Sequence, residues 1–352
     1  MKPAPTEAEN LLGCFVQYAR LVSAEPFGAG HINDTFKIVA ESENGKSTSY
    51  LLQRINRSVF KQPRKVMDNI VLVALVQLGQ DYPLKPLLPF PLRKSRTGAT
   101  LCRDAEGSYW RLFPFFENTF SFDTVASPEL AHAAAEAFGR FVGSLAKLDT
   151  GRLHTTIPGF HDGLRRLTRF KRILPKAIPE RMAEARSEAA EILNNQHIFN
   201  EIAALGLPRR AVHHDTKINN LLFDEITRQP LAVVDLDTVM PGIVLSDFGD
   251  MMRTFTCSAG EDEADLSAVA MRMPFYKAIL DGYLSGTGGL LTQAERANLP
   301  EGGKWLTLMQ AMRFLGDYLE GDVYYKTAYP EHNLVRARNQ LALFRSMSGQ
   351  LG

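Results

Sequence analysis

The segment HHDTKINN, residues 213–220, decides how the rest of this chain is interpreted. It places a carboxylate at Asp215, a cation at Lys217 and a carboxamide at Asn220. This is the spacing of a kinase catalytic loop, in which the acid orients and deprotonates the attacking hydroxyl and the amide holds a Mg²⁺ ion. The segment therefore predicts Asp215 as a catalytic base and Asn220 as a metal ligand.

The run LAVVDLD, residues 231–237, strengthens this interpretation. Its apolar start is typical of a buried strand, and the strand delivers Asp235 and Asp237 at its end. A catalytic loop of this kind needs a second oxygen ligand for its metal ion, and we predict Asp235 in that role. Asp237 either binds metal as well or caps the turn at Thr238. The two segments together predict phosphoryl transfer from a nucleotide.

The composition is that of an ordinary globular protein of 352 residues, 45% hydrophobic and 22% charged, for which two lobes are expected. A net charge of +1 gives no strong positive field that would attract nucleic acid or an anionic membrane surface. No apolar run approaches the roughly 20 residues that span a bilayer. Three separated cysteines without metal-ligand spacing fit a reducing cytoplasm. We expect a cytoplasmic protein with small-molecule partners only, and the sequence leaves its oligomeric state open.

The order of strand and helix patterns predicts an α+β fold with two lobes. Residues 1–116 are expected to form a small lobe around a five-stranded antiparallel sheet, and residues 117–352 a larger, mainly helical lobe. A helix is expected after Pro63, and another begins at Ser127 and Pro128. Further helices are expected at 180–205, 265–285, 303–320 and 331–348. We interpret the acidic segment GEDEAD, residues 260–265, as a solvated helix start.

The expected nucleotide site lies in the N-terminal lobe and at its connection to the rest of the chain. Gly28 and Gly30 fall between the first two strands, where glycines let backbone amides approach phosphate oxygens. Two glycines are also typical of a simple turn. Phe116 in the connecting segment WRLFPFFEN is expected to contact the base, the alternative being a core position.

Seven segments, spread from residue 25 to residue 336, carry a resemblance to a known family. They are EPFGAGHIN, YLLQRIN, HHDTKINN, VVDLDTVMPG, SDFGD, MRFLGDYLEGDVYY and YPEHNLVR. The chain resembles the aminoglycoside phosphotransferase and choline kinase superfamily, and within it the N-acetylhexosamine 1-kinases. The resemblance implies a kinase-like fold that uses ATP and Mg²⁺ to phosphorylate the anomeric hydroxyl of GlcNAc or GalNAc. It also implies that His213 and Asp247 brace the catalytic loop.

The chain departs from the wider kinase pattern on its third strand. Most members place there a lysine that holds the nucleotide phosphates and pairs with a glutamate on the next helix. Here the position is Gln53, and the helix from Arg64 to Gln80 contains no glutamate. We hypothesise a neutral pair of Gln53 with Asn69 near the nucleotide. Lys217 would then supply the missing positive charge as a second catalytic residue.

The acceptor pocket must recognise a neutral, hydroxyl-rich ring through directional hydrogen bonds and an apolar wall. Suitable side chains within the resembling segments are His31, Asn33, Arg313, Asp317 and Tyr324, and His214 either contacts the sugar or merely fills the loop. Asp317 is expected to form a salt bridge with Arg313 one helical turn away. A kinase for another sugar, an aminoglycoside or an amino alcohol is the alternative function, and a non-catalytic nucleotide-binding protein is a third. The sequence does not distinguish GlcNAc from GalNAc or ATP from GTP.

Overall fold

The computed structural model describes residues 5–28 and 32–352. Within these ranges the strands are β1 Arg20–Pro26, β2 Asp34–Glu41, β3 Ser47–Arg54, β4 Cys102–Arg103, β5 Tyr109–Pro114, β6 Thr119–Phe120, β7 Arg210–Val212, β8 Leu221–Asp224, β9 Pro230–Val233 and β10 Met240–Gly242. The α-helices are α1 Pro5–Phe15, α2 Pro63–Leu78, α3 Pro128–Ser144, α4 Gly163–Ile173, α5 Pro179–Glu184, α6 Arg186–Asn194, α7 His197–Ala204, α8 Val244–Phe255, α9 Met273–Thr287, α10 Gln293–Ala297, α11 Leu299–Leu319 and α12 His332–Leu351.

The chain divides into two compact units. Unit 1 comprises Met1–Phe120, Gly151–Ile157 and Leu222–Met240, and unit 2 comprises Ser121–Thr150, Pro158–Leu221 and Pro241–Gly352. Unit 1 thus takes in two segments from later in the chain, and the second of them carries the predicted metal-binding acids. The catalytic loop belongs to unit 2.

Unit 1 is built around a five-stranded antiparallel sheet in the order β1-β2-β3-β5-β4, as predicted. Apolar residues alternate along β2, so that Phe36, Ile38 and Ala40 face the core while their neighbours do not. Helix α1 packs Leu12 and Phe15 into the same core. The sequence analysis did not anticipate α1, whose short apolar stripe is interrupted by polar residues.

Helix α2 of unit 1 begins where Pro63 occupies its first turn, a position at which a missing N–H costs nothing. Val66, Ile70 and Val73 recur at helical spacing and are buried. A smaller three-stranded sheet, in the order β6-β8-β9, also lies largely in this unit. It leads the chain directly into the turn that contains Asp235.

Unit 2 is mainly helical, and its helices approach closely at glycines. Ser127 caps α3 by accepting a hydrogen bond from the Leu130 N–H at 3.2 Å, which confirms the predicted helix start. α3 packs on α9, and a Cβ at Gly139 of α3 would lie 2.7 Å from the Tyr283 carbonyl oxygen. α11 packs against α8 and α12. The fold is therefore the predicted α+β combination of a small sheet and a larger set of helices.

Two predicted helical segments differ in the structure. Residues 180–205 form three short helices, because the Asn195 side chain bonds the Glu191 carbonyl at 2.8 Å and α6 ends there. The predicted helix start at 260–265 is wrong. Asp265 caps only a three-residue 3-10 turn, and α9 begins at Met273. No helix in the described ranges is long and apolar enough to cross a membrane.

Candidate active site

The backbone of the catalytic loop is fixed by Asp247 of α8, within unit 2. Its carboxylate oxygens accept hydrogen bonds from the His213 N–H at 2.8 Å and the His214 N–H at 2.7 Å. Its backbone carbonyl accepts from the Thr216 hydroxyl at 2.7 Å. Burial raises the pKa of Asp247 to about 7, against the opposing effect of the two N–H groups. The expectation that Asp247 braces the loop is confirmed.

His213 braces the loop from inside. Its Nδ1 accepts a hydrogen bond from the Asp215 N–H at 3.3 Å, and its ring meets the rings of Phe138 and Phe141 edge-on at 5.7 Å. His214 adopts a positive φ of 66°, a conformation that costs a non-glycine residue energy and recurs at functional sites. The loop is therefore held by packing on one side and by Asp247 on the other.

Asp215 is oriented by two residues of its own loop. The Asn220 Nδ2 donates hydrogen bonds to the Asp215 carbonyl at 2.9 Å and to its Oδ2 at 3.1 Å. Lys217 Nζ lies 3.9 Å from Asp215 Oδ1, and this carboxylate raises the pKa of Lys217. The structure thus brings the three predicted residues of this loop together. The assignment of Asp215 as the catalytic base stays a prediction.

The orientation of Asn220 fits a metal ligand. Because its nitrogen faces Asp215, its Oδ1 points elsewhere, and it has no hydrogen bond within the part of the chain that the structure describes. An amide oxygen of this kind suits a hard divalent cation. No group of three or more His, Cys, Asp or Glu side chains among the described residues is arranged to hold a metal. The assignment of Asn220 to a metal ion stays a prediction.

Asp235 occupies a strained position in unit 1. It follows the end of β9 and adopts φ 56° and ψ 54°, in the left-handed region. A 3-10 turn, Leu236–Thr238, comes next. A carboxylate held in this conformation at the end of a buried strand is consistent with a ligand role, and the assignment of Asp235 to the metal stays a prediction.

Asp237 forms a buried ion pair rather than either of its two expected contacts. Its oxygens accept hydrogen bonds from Arg111 Nη1 at 2.5 Å and Nη2 at 3.0 Å, within unit 1. Asn33 Nδ2 donates to Asp237 Oδ2 at 2.8 Å, and Asn33 Oδ1 accepts from the Asn56 N–H. Asn33, predicted to bind the acceptor, is thus part of a network around Asp237.

The hypothesised pair of Gln53 and Asn69 does not form. Gln53 Oε1 accepts from Arg111 Nε at 3.0 Å, and its Nε2 donates to Thr35 Oγ1 at 3.0 Å. Asn69 instead bonds backbone groups of His154 and Val239 at 2.8 Å. The cation beside Gln53 is Arg111, its direct partner on β5. A charged residue inside the apolar strand YWRLFP was the signal that the sequence analysis passed over.

Two further predicted nucleotide residues, Gly28 and Phe116, lie in unit 1. Gly28 has a φ of 77°, which explains why a glycine stands there. Gly30 and His31 lie outside the described residues. Phe116 is half-buried, its carbonyl accepts a hydrogen bond from Thr119 Oγ1 at 2.6 Å, and Lys85 Nζ lies 5.9 Å from its ring centre. The nucleotide roles of these residues stay predictions.

The two stronger acceptor candidates, Arg313 and Tyr324, line one cavity of unit 2. The predicted Arg313–Asp317 salt bridge is wrong. Asp317 accepts hydrogen bonds from the N–H groups of Tyr324 at 2.7 Å and Tyr325 at 2.9 Å, because the chain folds back after α11. Arg313 instead donates to Gln310 Oε1 at 2.8 Å. The Asp317 carboxylate therefore holds the backbone of the cavity wall and does not pair with the positive charge of Arg313.

A row of rings connects this cavity to the catalytic loop within unit 2. The Arg313 guanidinium lies 5.3 Å from the centre of the Phe160 ring, which stacks on His161 at 4.4 Å. The His161 ring lies 5.3 Å from that of His214, the neighbour of Asp215. Burial lowers the pKa of His161 well below its ordinary value, so its ring is neutral. The sequence analysis missed Phe160 and His161, which lie outside every motif it used.

A cluster of charged side chains around the buried Arg253 also lies in unit 2. Arg253 of α8 donates two hydrogen bonds to Asp250 Oδ1, at 3.1 and 2.9 Å, and one to Glu261 Oε1 at 2.5 Å. Glu261 also raises the pKa of Lys217, although less than Asp215 does. The acidic segment that the sequence analysis interpreted as solvated is therefore partly neutralised by Arg253.

The chain is similar to known proteins both in sequence and in structure. A model described as the phosphotransferase enzyme family matches residues 23–289. An amicoumacin kinase in complex with AMP-PNP, Ca²⁺ and Ami has a TM-score of 0.59 at 15% identity, covering 97% of this chain and 93% of that one. A microcompartment-associated aminopropanol kinase has a TM-score of 0.61 at 15% identity, covering 98% of both chains. A Plasmodium vivax ethanolamine kinase has a TM-score of 0.56 at 12% identity, covering 93% and 84%. At these identities the structural likeness shows a shared fold alone.

Proposed function

Because the chain belongs to the phosphotransferase enzyme family, we propose that it is an ATP-dependent kinase that phosphorylates the C1 hydroxyl of N-acetylhexosamines, GlcNAc or GalNAc. The observation that carries the choice of acceptor is the cavity with Arg313 and Tyr324, joined to the catalytic loop by the rings of Phe160 and His161. Directional donors beside aromatic faces suit a hydroxyl-rich ring. The resemblance of residues 312–325 and 329–336 to N-acetylhexosamine 1-kinases supports the same acceptor.

Asp215 performs the proton transfer in this proposal. Its carboxylate accepts a hydrogen bond from the C1 hydroxyl and takes the proton as the oxygen attacks the γ-phosphorus of ATP, whose bond to the bridging oxygen breaks to release ADP. An anomeric hydroxyl is more acidic than an ordinary alcohol, so positioning matters more than base strength. The contacts from Asn220 and the bracing of the loop by Asp247 supply that positioning.

Two residues would hold the divalent cation that accompanies ATP. Asn220 offers its Oδ1 and Asp235 its carboxylate, and both oxygens suit Mg²⁺. When bound, the ion neutralises charge on the phosphate oxygens. Lys217, held beside Asp215, adds a fixed positive charge at the transferred phosphoryl group.

A cationic acceptor, such as an amino alcohol or an aminoglycoside, is the competing proposal. It requires carboxylates that are free to pair with an ammonium group. In unit 2, Asp250 and Glu261 each form an ion pair with Arg253, and Asp317 accepts hydrogen bonds from backbone N–H groups. Arg313 would repel a cation in the cavity. The charge distribution therefore favours a sugar.

A coupled ADP-release assay across acceptors tests the proposal. The panel contains GlcNAc, GalNAc, glucose, choline, ethanolamine and an aminoglycoside, each with ATP and Mg²⁺. We expect turnover with an N-acetylhexosamine to exceed that with every amine. Efficient turnover with choline or ethanolamine alone would replace the proposal by the cationic alternative. No turnover with any acceptor would favour a non-catalytic role.

A further inference from the structure

The cavity in unit 2 between α4 and the C-terminal half of α11 carries three arginines. Its lining comprises these cations, the acid Asp317, apolar side chains and two tyrosines, Tyr324 and Tyr325. The three arginines, Arg166, Arg169 and Arg313, make it rich in hydrogen-bond donors that also carry charge.

In the part of the chain that the structure describes, a carboxylate pairs with only one of these arginines. Arg169 pairs with Glu320 at 2.5 Å. Asp317, the acid in the cavity wall, uses its oxygens on neighbouring N–H groups. Among the described residues, neither Arg166 nor Arg313 forms an ion pair with a carboxylate. Two guanidinium groups therefore share the cavity without a counter-ion from these parts of the chain.

Both guanidinium groups retain donors for a ligand. Arg166 donates from Nε and Nη2 to the Phe160 carbonyl, at 3.3 and 3.2 Å, and Arg313 donates from Nη1 to Gln310. Within the described ranges, no hydrogen bond is formed by Arg166 Nη1 or by Arg313 Nε and Nη2. Burial, followed by the charge of Arg313, lowers the pKa of Arg166 to about 10. An anion placed beside both groups would relieve that repulsion and accept their free donors.

We propose that this cavity binds an oxyanion carried by the sugar acceptor, with Arg166 and Arg313 as its ligands. The class comprises sulfate and phosphate esters and carboxylates, whose oxygens match the planar fork of arginine. The inference rests on the proposed function, in which this cavity holds the acceptor; ring contacts from His214 to Phe160 and from Phe160 to Arg313 connect it to the catalytic loop. When C1 of a pyranose faces Asp215, C4 and C6 lie at the far end of the ring. We therefore assign the anionic substituent to C4 or C6.

Steady-state kinetics with matched acceptors test this assignment. The acceptors are GlcNAc, GalNAc, GlcNAc 6-sulfate and GalNAc 4-sulfate, and the proteins are wild type, Arg166→Gln, Arg166→Lys and Arg165→Gln. Arg165 is an exposed arginine of the same helix that does not line the cavity, so its variant is a matched control. We expect at least one sulfated sugar to exceed its neutral parent about tenfold in kcat/KM, as charge-assisted hydrogen bonds predict.

The variants separate a charge effect from a structural one. Arg166→Gln should lower kcat/KM for the sulfated sugar about tenfold more than for the neutral sugar, because only the sulfated sugar loses a charge-assisted hydrogen bond. Arg166→Lys should retain part of the preference, and Arg165→Gln all of it. Equal losses on neutral and sulfated sugars, or no preference in the wild type, would overturn the inference and leave the sugar kinase intact.

A sulfate titration identifies the source of the anion. Free sulfate should inhibit turnover of the sulfated sugar competitively in the wild type and lose that effect in Arg166→Gln. Sulfate that binds without competing would assign the cavity to a separate anion and refute an acceptor-borne group. If no hexosamine is phosphorylated, the proposed function fails. Calorimetric binding of the sulfated sugar to wild type and not to Arg166→Gln would still uphold the cavity assignment in that case.

Discussion

The guanidinium of Arg111 donates hydrogen bonds to both oxygens of the Asp237 carboxylate, at 2.5 and 3.0 Å, and each side chain is 2% exposed. The pair joins the strand β5 to the turn after β9, two residues beyond Asp235. Gln53, at the position of the lysine found in most kinases, bonds the same guanidinium. The positive charge of this region thus stands one strand away from its usual place and is matched by an acid within unit 1.

Breaking this ion pair from one side should cost much of the stability of the chain. Arg111→Met leaves Asp237 buried and unpaired, for which a loss of about 3–5 kcal/mol is expected. Replacing both residues, as in Arg111→Met with Asp237→Leu, should recover most of that loss because no charge remains buried. Urea unfolding measures all three proteins.

The exposed pair Arg54–Asp34 of the same sheet provides the control. Its side chains are 30% and 47% exposed, and Arg54→Met should cost only about 0–1 kcal/mol. If Arg111→Met and Arg54→Met had equal effects on the unfolding free energy, the structural importance of the buried pair would be refuted.

Asp215→Asn should separate binding from chemistry. The substitution keeps the size of the side chain but removes its basicity, so kcat should fall by about 10²- to 10⁴-fold. ATP affinity, measured by calorimetry, should change little. The surface variant Asp123→Asn serves as the control and should keep full activity. Near-normal turnover by Asp215→Asn would assign the base to another residue.

Asp235→Asn should raise the Mg²⁺ concentration needed for half-maximal activity more than about tenfold, because an anionic ligand becomes neutral. A Mg²⁺ titration of activity at saturating ATP measures the effect. Asp224→Asn, at the end of β8 in the same unit, is the control and should leave the Mg²⁺ requirement unchanged. An unaltered requirement in Asp235→Asn would exclude Asp235 as a ligand.

Asp247 predicts a pH dependence of stability. Burial raises its pKa from 3.8 to about 7, so between these values the folded chain holds a proton that the unfolded chain has lost. The stabilisation from this proton is complete below the unfolded pKa and is lost as pH rises through about 7. Asp247→Asn cannot titrate, so the stability difference between wild type and variant should shrink from pH 4 to pH 7. Urea unfolding at each pH measures this difference. A difference that grew from pH 4 to pH 7 would contradict a raised pKa for Asp247.

Local sequence patterns predicted those structural features that depend on residues close together in the chain. The spacing of Asp215 and Asn220, the five-stranded sheet and the start of α3 at Ser127 all follow from short-range rules of turn, strand and cap. The family resemblance supplied the role of Asp247. The spacing of Asp215 and Asn220, the single strands and the helix start were predictable because each is encoded within one short segment.

Long-range pairing set the limit of that prediction. Arg111 and Asp237 lie 126 residues apart, and their contact depends on how β5 is placed relative to the turn after β9. Asp317 bonds a backbone that folds back on it, so the spacing rule for Arg313 did not apply. Glu261 was interpreted from its acidic neighbours, whereas its partner is Arg253 on another element.

The position of the phosphate on the product tests the central claim most directly. After incubation of the chain with ATP, Mg²⁺ and the N-acetylhexosamine that it turns over, ¹H–³¹P correlation NMR identifies the proton coupled to phosphorus. The account predicts coupling to the anomeric proton, and hence a sugar 1-phosphate, formed by wild type and lost in Asp215→Asn. Coupling to the C6 protons, or equal product from both proteins, would contradict it.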